Sequence, residues 1–511
     1  MAKGILLLAA AFLCAGVQAQ KTANPVPYAK TITTTDLKKH LSIIAGAEME
    51  GRDTPSPGLE KAAKYIETRF RAFGVKPGNN GSYRQYYDLE KDSASSLSLH
   101  IAGLDFAPGK DFAPWLRMPQ KAVLDFSEYV FVGYGIVDEN RDDYKNTDVN
   151  GKLVVLLSGQ PDGFTTSKSR EQSPVFTANK IANAKKKGAA AVLIISEVLP
   201  TQQMLGNGYR PRPSEAKQQE STAIPAFYIN DHVVSKTGQN IREIRETVGS
   251  YVIDPIVAPA KVSIRYTSGK KIATVSNVIG IVEGSDKKNE YLFITAHYDH
   301  VGVDDKGNIY YGADDDGSGT VAVIDMAEAF AKAKKAGKGP RRTVVFMLVS
   351  GEEKGLWGSE YYSENPIYPL EKTTANLNID MIGRVDTERM LADTLNYVYV
   401  VGHNKLSSDL PKINEGMNNK YTKLVLDYKF DDPNDPNKIY YRSDHYNFAR
   451  KGVPVLFFYD GMLKADYHQP TDTIDKINFS LFAKRAQMIF YTAWEMANRK
   501  DLLKRDLELE Q

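Results

Sequence analysis

Apolar residues recur at helical spacing at Leu59, Ala62, Ala63, Ile66, Phe70 and Phe73. Positions three and four apart share a helix face, so this stretch predicts an amphipathic helix stopped by Gly74. From about Ala122 the texture changes. Short apolar runs at 129–136 (YVFVGYGI), 152–157 (KLVVLL), 190–196 (AAVLIIS) and 223–229 (AIPAFYI) predict strands. A single helix, near 177–187, is predicted among them. This β-rich block ends near Pro259 and reads as an inserted domain. After Lys261 the pattern alternates. Strands are expected at 291–298, 343–350, 375–382, 396–402 and 454–460, and helices at 318–335 and 479–499. This pattern suits a sheet covered by helices on both faces. In such sheets ligands bind just beyond the strand C-termini.

The 511-residue length suits about two to four domains. Net charge is +2, and no basic patch points to nucleic acid or an anionic membrane. At the N-terminus, Lys3 precedes an apolar run from Gly4 to Ala15, and Val17-Gln18-Ala19 suits signal cleavage. Residues 1–19 are therefore expected to be a signal peptide, with the mature protein secreted or periplasmic. The apolar run falls short of the ~20 residues of a spanning helix, so no stable membrane insertion is expected after cleavage. Cys14 is the only cysteine. The mature chain would have no disulfide and no thiolate ligand, so a catalytic metal would need His, Asp and Glu.

Five clusters supply those residues. "ITAHYDHVG" (294–302) places His297, Asp299 and His300 after an apolar run. An Asp beside a ligating His commonly fixes its tautomer; a strand-end His is also commonly structural. "YGADDDGSG" (311–319) packs three carboxylates between glycines, which suits either a bound cation or a solvated turn. "VSGEEKGLWGS" (349–359) puts Glu352 and Glu353 after a strand, so one could bind metal and the other activate water. "LNIDMIG" places Asp380 inside an apolar strand, where an unpaired charge is costly. "ADYHQPTDT" carries His468 on a loop. No HExxH motif occurs, which disfavours the mononuclear enzymes that use it.

In order and spacing these motifs resemble the co-catalytic zinc aminopeptidase family, which also includes glutamate carboxypeptidase and plasma-type dipeptidases. The resemblance covers 51–75 and most of 272–500. The β-rich block resembles the protease-associated domain that many members carry. The resemblance implies a three-layer α/β/α zinc-peptidase core with a mixed, mostly parallel sheet. The layout is then a signal at 1–19, peptidase at 20–118, insert at 119–260 and peptidase again at 261–511.

Residue by residue, the resemblance implies two Zn2+ ions. His297 and Asp380 would complete the first site, with Asp299 orienting His297. Asp315 would bridge both ions, with Asp315–Asp316 the place to look for a cis peptide. Glu353 and His468 would complete the second site. Glu352 would be the general base, and Tyr467 would help to bind the oxyanion. His300 is expected to line the cleft or to be structural. Ser443, Asp444 and His445 in "YYRSDHYNF" are expected either at the pocket or in structural support.

The expected activity is peptide hydrolysis, foremost as an aminopeptidase. A carboxypeptidase or dipeptidase would need a cationic clamp, for which Arg384 and Arg442 are candidates. A glutaminyl-cyclase-like transferase would need only one zinc. A receptor that keeps the fold without catalysis would have lost ligands.

Overall fold

Downstream of residue 275 the apolar runs form strands buried on both faces. The computed structural model describes residues 23–115, 121–169, 172–200, 208–213, 224–250, 254–390 and 393–509. The signal expected at 1–19 and the first residue of the run at 223–229 lie outside them. The chain divides into two compact units. One contains residues up to Tyr86 and from Val275 onward; the other is Tyr87–Thr274. Among the described residues, no helix is long and apolar enough to cross a membrane.

In the first unit the strand order is Val425–Asp427, Tyr397–Val401, Val455–Tyr459, Thr373–Ile379, Lys287–His297 and Arg342–Val349, followed by residues 278–282. Three successive pairings from Val455–Tyr459 to Arg342–Val349 are parallel, while Tyr397–Val401 and residues 278–282 pair antiparallel. The sheet is mixed and mostly parallel.

Alternate side chains face opposite helix layers. Phe346 meets Phe330 of helix Gly317–Lys335, ring centroids 5.9 Å apart, and Phe330 stacks on Trp494 of helix Phe479–Asn498. Phe293 meets Tyr362 of helix Trp357–Glu364 and Phe448 of helix His445–Ala449, at 5.4 and 5.3 Å. A sheet buried on both faces needs unbroken apolar strands, and each such side chain contributes about 1.5–3 kcal/mol over leaving it exposed. The amphipathic helix expected before Gly74 is Pro57–Phe73. Ser56 caps its start, and Gly74 ends it at φ 78°.

In the second unit Lys121–Phe131, Leu153–Leu157, Ala191–Ser196 and Ala226–Asn230 pair parallel in that order. Val155, Leu193 and Ile229 pack on one face, and Val154, Ile194 and Tyr228 on the other. The strand expected over 129–136 stops at Phe131, because Gly133 and Gly135 turn the chain at φ 64° and 67°. Helices Asp231–Lys236 and Ile241–Ser250 add to the expected Thr177–Lys186. This unit is wider than the expected 119–260. Leu99, Ile101 and Phe106 on one side, and Val262, Ile264 and Tyr266 on the other, belong to its core.

Candidate active site

Parallel register brings several chain ends to one edge of the first unit's sheet. His297 pairs with Val349, and Thr295 with both Met347 and Asn378. His297 therefore ends its strand level with the turn that carries Glu352 and Glu353. Asp380 was expected inside its strand; the strand ends at Ile379, so Asp380 is the first residue beyond it. That difference removes the cost of a charge in mid-sheet and puts the carboxylate at the edge. Strand Val455–Tyr459 leads into the loop that holds His468, which adopts φ 53°.

The triple aspartate feeds the same edge through the start of helix Gly317–Lys335. The Asp315–Asp316 peptide is cis. Asp316 caps the helix: its Oδ1 accepts from the Gly319 and Met381 amides at 2.8 and 3.1 Å, and its Oδ2 from the His297 amide at 3.2 Å. With both oxygens so engaged, Asp316 locks the helix start onto the strand ends. A Cβ at Gly319 would lie 2.4 Å from Asp316 Oδ1 and from the Ile379 carbonyl, so the close approach requires glycine.

Asp315 sits between two groups of side chains. Its Oδ1 lies 3.3 Å from His297 Nε2, which is 3.5 Å from Asp380 Oδ1. Its Oδ2 lies 3.1 Å from His468 Nε2, which is 2.9 Å from Glu353 Oε2. Glu352 stands next to the first group, its Oε2 3.9 Å from His297 Nε2. Tyr467 stacks on His468 with ring centroids 3.9 Å apart and lines the same pocket as Glu352 and Asp380.

Asp299 lies slightly apart. Its Oδ1 is 3.7 Å from His297 Nδ1, beyond hydrogen-bond range, while its backbone carbonyl is at 3.2 Å. The Asp299 carboxylate instead accepts from Thr54 Oγ1 at 3.1 Å and from the Glu352 amide at 3.2 Å. It thereby ties the His297 turn to the Glu352 turn. His300 Nδ1 lies 2.8 Å from Glu353 Oε1, which leaves Glu353 Oε2 facing His468.

The electrostatics follow from burial and crowding. Burial raises the Glu352 proton affinity well above the usual carboxylate range; Asp380, Glu353 and Asp444 add to this, and His297 opposes it. Burial works against a charged His468, yet Asp315 and Glu353 push the imidazole up to about 10. Although Asp315 Oδ2 and His468 Nε2 lie 3.1 Å apart, neither makes an aligned hydrogen bond. Carboxylates converging in a buried space repel one another unless a cation lies between them. Oxygen and imidazole nitrogen donors in this number suit zinc. The donor set fits zinc, with His297 and Asp380 on one side of Asp315 and Glu353 and His468 on the other.

Three supporting residues received no role in the sequence reading. Asp472 accepts from the Asp314 and Asp315 amides at 3.0 and 3.1 Å through its Oδ2, fixing the backbone that carries Asp315. Arg52, fully buried, donates to the carbonyls of Ile44, Tyr298, Tyr311 and Gly312 and so joins the loops that carry His297 and Asp315. Thr54 accepts from the Gly351 amide at 3.2 Å while donating to Asp299. The strings "GRDT" and "HQPTDT" were the available signals: polar residues that immediately flank an apolar helix or a candidate ligand. Ser443 lines the pocket and donates to Asp380 Oδ2 at 2.6 Å. Asp444 is buried, and burial pushes it up to about 7. His445 stacks on Phe457 in the core, and burial lowers it to about 3.

Comparison with known proteins bears on the same residues. Residues 277–493 match the model of Peptidase family M28, and residues 127–236 match that of the PA domain. A protein of Arthroderma benhamiae described as "Probable leucine aminopeptidase" is 28% identical over 226 residues, covering 43% of this chain and 57% of that protein. The chain thus spans about half the length of the curated relatives it matches. A "Probable zinc metalloprotease" of Pyrenophora teres f. teres is 34% identical over 122 residues, 23% of each chain. Among solved structures, the aminopeptidase from Aneurinibacillus sp. strain AM-1 aligns with a TM-score of 0.51 at 19% identity. That alignment covers 96% of this chain and all of that one, and it shows a shared fold. The motifs resemble the family whose model matches here, and the β-rich block is the region that matches the PA model.

Proposed function

We propose that this protein is an exported, two-zinc aminopeptidase that removes residues from the N-termini of peptides. The observation that carries the reading is Glu352. It stands beside the convergent ligands without being required by either group. A general base needs that position, because a carboxylate committed to a metal cannot also carry a proton. The M28 match and the aminopeptidase and zinc metalloprotease relatives support the reaction class.

Bound zinc would acidify the attacking water and polarise the scissile carbonyl. Glu352 takes the proton of that water as its oxygen bonds to the carbonyl carbon. Glu352 then delivers the proton to the leaving amine as the carbon–nitrogen bond breaks. Asp299 holds the Glu352 backbone in place through the bond to its amide. Tyr467 Oη accepts from Arg442 at 3.1 Å, so the phenol proton stays free to donate to the developing oxyanion.

The test compares a peptide with a free N-terminus and its N-acetylated twin. Cleavage of the free-amine peptide alone is expected. Equal cleavage of both would overturn the aminopeptidase reading, and metal analysis showing one ion per chain would overturn the two-zinc reading.

A further inference from the structure

A pocket of about 40 Å³ opens beside Glu352 and Asp380. Its walls include Met381, Ile439, Phe457, Tyr459 and Leu463. Arg442 is the only cation among its lining residues. The guanidinium is exposed and donates to Tyr467 Oη at 3.1 Å. Among the described residues, no carboxylate forms an ion pair with it. Arg384 contrasts with it: its guanidinium is largely buried and paired with Asp466 at 2.7 Å. Of the two arginines the sequence offered as a clamp, Arg384 is neutralised within the fold and Arg442 faces the pocket uncompensated.

A guanidinium presents a rigid fork of donors that matches a carboxylate. Tyr467 uses only one of those donors. On the aminopeptidase reading, we propose that Arg442 is a specificity residue that receives a substrate carboxylate. Two sources present that chemistry: the side chain of an acidic N-terminal residue, and the free C-terminus of a dipeptide.

The test uses wild type, Arg442→Leu and Arg442→Lys with two substrate pairs. One pair is the coumarin amides of glutamate and leucine, which differ only in the side chain. The other is a dipeptide and its C-terminal amide, which differ only in the terminal carboxylate. Loss of a charged hydrogen-bonding partner reduces discrimination by roughly 10- to 100-fold. Arg442→Leu should therefore lower the carboxylate-to-neutral ratio of kcat/KM by that factor in one pair, mainly through KM, and Arg442→Lys should restore part of it. The pair that responds identifies the source.

A drop common to all four substrates, carried by kcat, would show that Arg442 only holds Tyr467 and would overturn the proposal. Unchanged ratios with active enzyme would overturn it too and leave the aminopeptidase reading standing. A wild type that cleaves none of the free-amine substrates would overturn both.

Discussion

In the inserted unit, strands Leu153–Leu157, Ala191–Ser196 and Ala226–Asn230 run parallel with buried apolar interiors, as do Lys287–His297, Arg342–Val349 and Thr373–Ile379 in the other unit. Their C-terminal ends differ. The first set runs into Ser158, Ser196 and Asn230, and the Asn230 side chain caps helix Asp231–Lys236 and donates to the Lys110 carbonyl at 2.8 Å. The second set runs into His297, Glu352 and Asp380. The inserted unit has a cavity of about 410 Å³, lined mostly by apolar side chains such as Phe131, Leu193 and Ile229. The other unit's small pocket has three carboxylates in its wall. The two units thus share parallel, buried strands and present different residues at the strand ends. The difference lies in the one or two residues past each strand end.

Metal removal probes this contrast most strongly. Chelation should abolish activity, and added zinc should restore it. It should also lower the unfolding temperature of the unit that carries His297, since a ligand at 100 times its Kd contributes about 2.7 kcal/mol. The unfolding transition of the inserted unit should not move. A calorimetric shift of both transitions would contradict the contrast.

Next comes Glu352→Gln. A general base contributes roughly 10²–10⁴-fold, so kcat should fall by that factor. Zinc content should stay at the wild-type value, because Glu352 lies outside both groups of ligands. If that variant lost metal, the assignments of Glu352 and Glu353 would be reversed.

Thr54→Val reaches one layer further out. It removes the hydroxyl shared by Asp299 and the Gly351 amide. Losing a hydrogen bond behind a metal ligand typically costs 10–100-fold, and the lower end is expected here because Asp299 keeps its bond to the Glu352 amide. Steady-state kinetics and metal analysis together read this. A variant with wild-type kcat would mean that Asp299 needs no support from Thr54.

How much of this was legible in the sequence varies by layer. His297, Asp315, Glu352, Glu353 and Asp380 stood out because each breaks or follows an apolar or glycine-rich run with a titratable group, and His468 as a histidine on the loop after a strand. Their convergence followed from one rule about parallel strand ends. Asp472 and Arg52 were not legible as parts of the site. Most of their bonds go to backbone amides and carbonyls of residues far away in the chain, and no spacing pattern marks a backbone partner. The limits of the inserted unit were hidden for a related reason. Strands Arg84–Ile101 and Ile256–Val282 are long and carry many polar residues, so apolar runs did not reveal them. Residues Leu99 and Val262 join that unit's core through pairing and packing across more than a hundred positions of sequence.

No effect on activity is expected from the inserted unit, where one buried titratable group has no part in the proposed chemistry. Lys180 is 1% exposed, and its Nζ donates to the carbonyls of Leu157 and Gly159 at 3.0 and 2.6 Å. Burial lowers its pKa to about 7, although Asp143 partly offsets this. An unfolded lysine titrates near 10.4. Between those two values the unfolded chain holds the proton that the folded chain has lost, so stability rises with pH across that window. The slope is at most about 1.4 kcal/mol per pH unit for one group. Below pH 7 both states are protonated and the slope vanishes. Hydrogen exchange of the Leu153–Leu157 amides in the full chain should show protection growing from pH 7 to 9, after correction for intrinsic exchange. Lys180→Met should remove that growth and leave kcat/KM alone, because the charged groups that act on Lys180 are Asp143 and Arg141, neither of which belongs to the proposed site. A slope that survives the substitution would assign the proton to another group. A change in kcat/KM would show that the inserted unit contributes to the proposed chemistry.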